Sequence, residues 1–223
     1  MDLKDMQRRV REVNEANGWF DADRGFTEGI ALLHSEVTEA LEAYCVHGLS
    51  DYTKVRWTPH LKLTDESGPI LARFLMGGPT ERPALAPFPW QLGPDEWMIL
   101  AREGHAKPEG VGSEFADILI RLLDETERQN VAIETWDTSH VSSVGDPRPR
   151  EFSTRINYFH GLIHDWWVEY DPSYAHTLFR NLLRASKTYG IDLMWEFERK
   201  LAYNATRSPR PSDSSRRRAD PWT

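Results

Sequence analysis

Two pairs of acidic residues have the spacing of a metal site. Glu36 and Glu39 stand three apart, and so do Glu114 and Asp117. Residues at i and i+3 share one helix face, so each pair points its carboxylates in one direction. Two such helices side by side would converge four carboxylates. Hard divalent cations take that set of oxygen ligands, and Mg²⁺ commonly bridges from it to substrate phosphates. At roughly 100° per residue, Glu114, Asp117, Arg121 and Asp124 fall on one narrow strip. Phe115, Ile118, Leu119, Ile120, Leu122 and Leu123 fill most of the remaining circumference. A helix this apolar is expected to be buried, with its polar strip turned to an internal cleft or a partner. A lone Glu-x-x-Glu is most often a solvated helix face. The second pair, on a helix that is otherwise apolar, gives the spacing its weight.

A third element lies near the C-terminus. Lys200, Asn204 and Arg207 follow one another at i, i+4 and i+7, with Tyr203 beside them. Two cations and an amide on one strip suit a polyphosphate, because Arg can fork two oxygens and Lys acts as a point charge. The same cations would also favour the dipole at a helix C-terminus.

Six main helices position these residues. Leu3, Met6, Val10 and Val13 form the stripe of a first helix over Leu3–Asn17, ended by Gly18 and followed by Trp19-Phe20. A second runs over Thr27–His47, with Ile30, Leu33, Val37, Ala40, Leu41 and Tyr44 on one side and Gly48 as its stop. From Leu49 to Gly112 prolines and glycines recur, which reads as a long, partly irregular insertion with short helices near Ile70–Met76 and Pro94–Ala101. Further helices are expected over Ser113–Gln129, Phe152–Glu169, Ser173–Tyr189 and Leu193–Thr206, with a polar link over Ser139–Arg150. No alternating strand pattern stands out, so the fold class is all-α. Residues 1–207 make one domain with the insertion at about 50–112, and the apolar-poor residues 208–223 read as a disordered tail.

Composition narrows the setting. The 223 residues carry a formal charge of -8, and the tail from Ser208 holds four Arg against two Asp, so the body is more acidic than the whole. An acidic body disfavours sequence-independent binding to nucleic acid. No apolar run approaches the roughly 20 residues that span a bilayer. The start, Met1-Asp2-Leu3-Lys4-Asp5, has no apolar stretch behind it, and Cys45 is the sole cysteine. Both point to a cytoplasmic protein without disulfides.

The combination resembles the MazG-like all-α nucleoside triphosphate pyrophosphohydrolases. The stretches that carry the resemblance are residues 30–44 around Glu36 and Glu39, residues 107–124 around Glu114 and Asp117, and residues 200–207, with Gly18-Trp19-Phe20 after the first helix. It implies a MazG-like bundle with Mg²⁺, or Mn²⁺ in its place, on Glu36, Glu39, Glu114 and Asp117. It implies that Lys200, Asn204 and Arg207 contact phosphates or sugar, with Tyr203 at the base or ribose. The implied reaction cuts an NTP or dNTP between the α- and β-phosphates, with Glu39 and Glu36 as catalytic carboxylates, one of which orients or deprotonates the water. Assembly as a homodimer or homotetramer is implied as well. The sequence departs from the family in its long insertion, in Ser35 where some members carry a Glu, and in Ser208-Pro209-Arg210-Pro211 where many carry a His/Gly/Lys-rich run.

Two other function classes fit parts of the pattern. A MazG-like module could hold a nucleotide or a protein without turnover. A di-iron carboxylate bundle would need Glu-x-x-His ligand pairs, which neither acidic pair has. His160 and His164 have a zinc-ligand spacing but lack the Glu of a metalloprotease motif, and read as surface histidines beside Trp166-Trp167. Trp19, Trp90 and Trp97 are candidates to stack on a base, Cys45 reads as packed, and Arg216-Arg217-Arg218 as solvated.

Overall fold

A computed structural model of the chain describes residues 3–19, 24–49, 64–70, 94–131 and 151–207, and the backbone of 54–57. The helices follow the apolar periodicity. Helix α1 (Leu3–Ala16) buries Leu3, Met6, Gln7, Val10 and Asn14, one stripe that includes two amides. It stops at Gly18, whose φ of 66° lies in the left-handed region that glycine adopts without steric cost. The Trp19 N–H donates back to the Asn14 carbonyl at 2.8 Å, closing the helix end. Helix α2 (Phe26–His47) buries Gly29, Ile30, Leu33, Glu36, Val37 and Ala40.

In chain order there follow β1 (Lys54–Trp57), α3 (Pro94–Arg102), β2 (Ala106–Glu109), α4 (Val111–Arg128), α5 (Phe152–Glu169), α6 (Ser173–Thr188) and α7 (Leu193–Asn204). Asp192 caps α7, its carboxylate accepting the Trp195 N–H at 3.1 Å.

Helix α4 is the centre. It packs against α2, α7, α1 and α6, and α5 packs on α2 and α6. Phe115, Ala116, Ile118, Leu119, Leu122 and Leu123 have no exposed surface. Each such Leu or Phe contributes about 1.5–3 kcal/mol of burial, enough together to offset the polar groups this helix also takes inside. Helices α2 and α5 run antiparallel: Phe26 meets Trp166 at 5.4 Å between ring centroids, and Tyr44 meets Phe152 at 4.4 Å. A smaller core of Ile70, Trp97, Leu100 and Ala106 joins α3 to β2, with Trp195 of α7 against it.

The helical class matches the sequence reading, and so do most helix bounds. The insertion differs from expectation. Strands β1 and β2 pair antiparallel, Lys54 opposite Glu109 and Trp57 opposite Ala106. Ala106 and Pro108 are buried while Lys107 and Glu109 are partly exposed, the alternation of a half-buried strand. Four-residue strands so far apart carry too little pattern to stand out, and the ribbon exists because the two pair. It runs through Gly110, at φ 86°, straight into α4. The expected segment Ile70–Met76 lies outside the described residues beyond Ile70, as do the link to Arg150, Trp90, and residues 208–223 with Arg216, Arg217 and Arg218. No helix among the described residues is long and apolar enough to cross a membrane.

Candidate metal and phosphate site

The polar strip of α4 faces α2 and α7, and its residues have separate fates. At the first turn, Glu114 turns an oxygen toward Glu36 and Glu39 of α2. The three carboxylates offer ligand atoms within 4.8 Å of one another. Glu114 is 7% exposed and makes no hydrogen bond or ion pair among the described residues. Ser35 donates its hydroxyl to Glu39 Oε1 at 3.2 Å, and the Arg121 Nε–H donates to Glu36 Oε1 at 2.9 Å.

Asp117 is apart from this trio. Its Oδ2 lies 2.5 Å from the Lys200 ammonium of α7, which also donates to Ser113 Oγ at 2.9 Å. The structure therefore brings three of the four expected metal carboxylates together and gives the fourth to a lysine. Lys200 is buried where the resemblance implied a residue reaching for phosphate.

Charge crowding shows in the acid strengths. Burial pushes the Glu114 carboxyl up to about 8, opposed by Lys200 and reinforced by Asp117, Glu39 and Glu109. Burial, then Asp117, raise Glu36 as well, against Arg121. Burial alone would lower Lys200, but Asp117 and Glu114 outweigh it and the net shift is upward. Carboxylates that resist ionising beside one another are what a divalent cation relieves. The residues present fit Mg²⁺ or Mn²⁺ as a set of oxygen donors, and the trio would close on an octahedral ion from the 4.8 Å that bounds it.

Along α7, the Asn204 carbonyl accepts from Asn17 Nδ2 at 2.8 Å. Arg207 lies past the helix end, its guanidinium 4.5 Å above the Trp19 ring. Tyr203 is partly exposed between them. Lys200, Asn204 and Arg207 thus run from the acidic cluster toward the end of α1.

The lower end of the strip is closed. Asp124 accepts from Arg24 at 2.7 Å and from Asn14 at 3.0 Å, and Arg24 also reaches Glu125 at 3.2 Å. The Arg24 and Asp124 side chains are 7% and 1% exposed. Sequence reasoning placed Asp124 on the strip but not its partners, which come from α1, from the residues before α2 and, at 3.5 Å, from Arg128 of α4 itself. Arg121 was also visible on the strip, whereas Ser113 carried no signal of its own.

Other expectations resolve outside the site. His160 is half-buried and shares a 2.8 Å Nδ1···Nδ1 hydrogen bond with His34. Their centroids are 5.0 Å apart, exceeding the nitrogen contact by about two ring radii, so the rings meet edge to edge rather than face to face. His164 is exposed, and no histidine joins a group of three metal ligands among the described residues. Trp97 is buried, with the Arg199 guanidinium 5.9 Å over its ring. Cys45 is exposed rather than packed, because it lies off the stripe made by Leu33, Val37 and Ala40.

Protein-family models, curated proteins and solved structures offer no match to this chain, so its own residues carry the functional reading.

Proposed function

We propose that this protein is an all-α, MazG-like, Mg²⁺-dependent hydrolase that converts a nucleoside triphosphate, NTP or dNTP, to the monophosphate and pyrophosphate. The observation that carries the reading is Glu114, a buried carboxylate with no hydrogen bond or ion pair among the described residues, aimed at Glu36 and Glu39 beside a buried lysine. Glu36, Glu39 and Glu114 would hold the ion, with Asp117 one helical turn from Glu114. When bound, such an ion neutralises phosphate oxygens and acidifies water at the reacting phosphorus. Glu39 is the exposed member of the trio and is steadied by Ser35, which suits it to orient or deprotonate that water. Lys200, Asn204 and Arg207 serve the phosphates and sugar, and Tyr203 the base or ribose. Mn²⁺ substitutes for Mg²⁺, the chain acts as a homodimer or homotetramer, and it works in the cytoplasm, where its substrate is held.

The test is turnover of a panel of canonical and modified NTPs and dNTPs with Mg²⁺, with Glu39→Ala in parallel. Turnover of at least one triphosphate, reduced at least a hundredfold in the variant, is expected. Binding without turnover across the panel would support a nucleotide-holding module instead, a reading favoured by the Lys200 contact that keeps Asp117 out of the cluster.

A further inference from the structure

Lys200 stands where a metal ligand is expected to be free. Asp117 is on the same face of α4 as Glu114, one turn on, yet its carboxylate faces an ammonium at 2.5 Å and is absent from the trio within 4.8 Å. The ammonium is buried and is held from its other side by Ser113 Oγ at 2.9 Å. Arg121 supplies a second fixed cation, on Glu36 at 2.9 Å. Glu114 is the complement of this arrangement, a carboxylate 7% exposed, pointed into the cluster and with no hydrogen bond or ion pair among the described residues, while the ammonium near it is bonded to Asp117. One part of the centre is therefore short of a cation, and the adjoining part already has one built in.

We propose that Lys200 is a removable counter-ion: it closes Asp117 to metal until a polyphosphate draws its ammonium away. The centre then takes one divalent cation through Glu36, Glu39 and Glu114 in the absence of nucleotide, and a second, on Asp117, only with it. The inference rests on the proposed function and adds to it the order in which the centre is filled.

The physical reasons are three. A metal ion that takes Asp117 from Lys200 leaves the buried ammonium without its carboxylate in a low dielectric, so a free ion gains little by the exchange. A triphosphate carries several negative oxygens and is a better partner for an ammonium than one carboxylate. Lysine has a flexible four-carbon stem, so its head group can swing between the two without moving α7. Linkage makes the effect reciprocal: a nucleotide that raises affinity for the second ion must have its own affinity raised by that ion.

The test is Mn²⁺ binding followed by electron paramagnetic resonance, with and without an equimolar set of α,β-methylene deoxynucleoside triphosphates whose scissile bond cannot be cut. One magnetically isolated Mn²⁺ per chain is expected without nucleotide. With it, two are expected, spin-coupled because ions in a two-metal site lie about 3.5–4 Å apart. Lys200→Met is expected to give the coupled pair without nucleotide. Should that variant not fold, Asp117→Asn decides, and is expected to hold one Mn²⁺ under both conditions. A coupled pair in the unmodified protein without nucleotide overturns the inference, as does a single ion when calorimetry shows the nucleotide bound. No binding of any nucleotide overturns the proposed function and this inference together.

Discussion

Glu125 lies across Gly29: a Cβ on that glycine would stand 1.9 Å from Glu125 Oε2. Helices α2 and α4 can approach closely here because the position has no side chain, and the space is taken by a carboxylate bonded to Arg24 and Gln129. Gly29→Ala would gain up to about 1 kcal/mol of helix propensity but displace a buried, paired group, an overpacking cost of about 1–3 kcal/mol. Gly161 of α5 has nothing within 4 Å of its would-be Cβ. Thermal melts should therefore show Gly29→Ala lowered and Gly161→Ala raised. Equal shifts of one sign would contradict this packing.

Arg24 and Asp124 form a buried pair between the start of α2 and the lower half of α4. Arg24→Ala leaves Asp124 with Asn14 at 3.0 Å and Arg128 at 3.5 Å, so the loss falls at the low end of the about 3–5 kcal/mol of a broken buried pair. Urea unfolding of Arg24→Ala should show a loss of that order with an unchanged denaturant slope. A loss below about 1 kcal/mol would mean the network is solvated.

Much of this fold is legible in the sequence. The stripe of Leu3, Met6 and Val10, the stop at Gly18 and the nearly all-apolar run Phe115–Leu123 each encode a local period, and local periods survive without knowledge of tertiary contacts. The Glu36/Glu39 and Glu114/Asp117 pairs were legible for the same reason. The pairing of Asp117 with Lys200, of Glu36 with Arg121 and of His34 with His160 was not, because each depends on the register of two helices far apart in the chain. The ribbon was hidden because β2 contains a proline and each strand has four residues.

The Glu114 carboxyl makes the metal-free protein sensitive to pH. Its folded value of about 8 stands above the ordinary 4.5. Between those values the native state keeps a proton that the unfolded chain has released, so stability falls as pH rises through that window. Melting in EDTA should therefore drop from pH 5.5 to pH 8, and saturating Mn²⁺ should restore more at pH 8 than at pH 5.5, since bound metal requires the ionised carboxylate. A metal effect independent of pH would remove Glu114 from the ligand set.

Glu39 separates binding from folding. It is exposed, and its carboxylate accepts the Ser35 hydroxyl at 3.2 Å. Glu39→Gln should unfold within about 0.5 kcal/mol of the unmodified chain without metal. It should lose most of the stabilisation that Mn²⁺ gives, which for a site at a hundredfold excess over Kd is about 2.7 kcal/mol. Retention of the full metal effect, followed by calorimetry, would place the ion elsewhere.

The bond that is cut identifies the phosphorus under attack. A triphosphate that the panel identifies as a substrate would be turned over with Mg²⁺ and followed by phosphorus NMR. Monophosphate and pyrophosphate appearing in equal amounts, with no diphosphate at any time, is the result expected of this site. Diphosphate with inorganic phosphate would contradict it, and would move attack from the α-phosphate to the γ-phosphate.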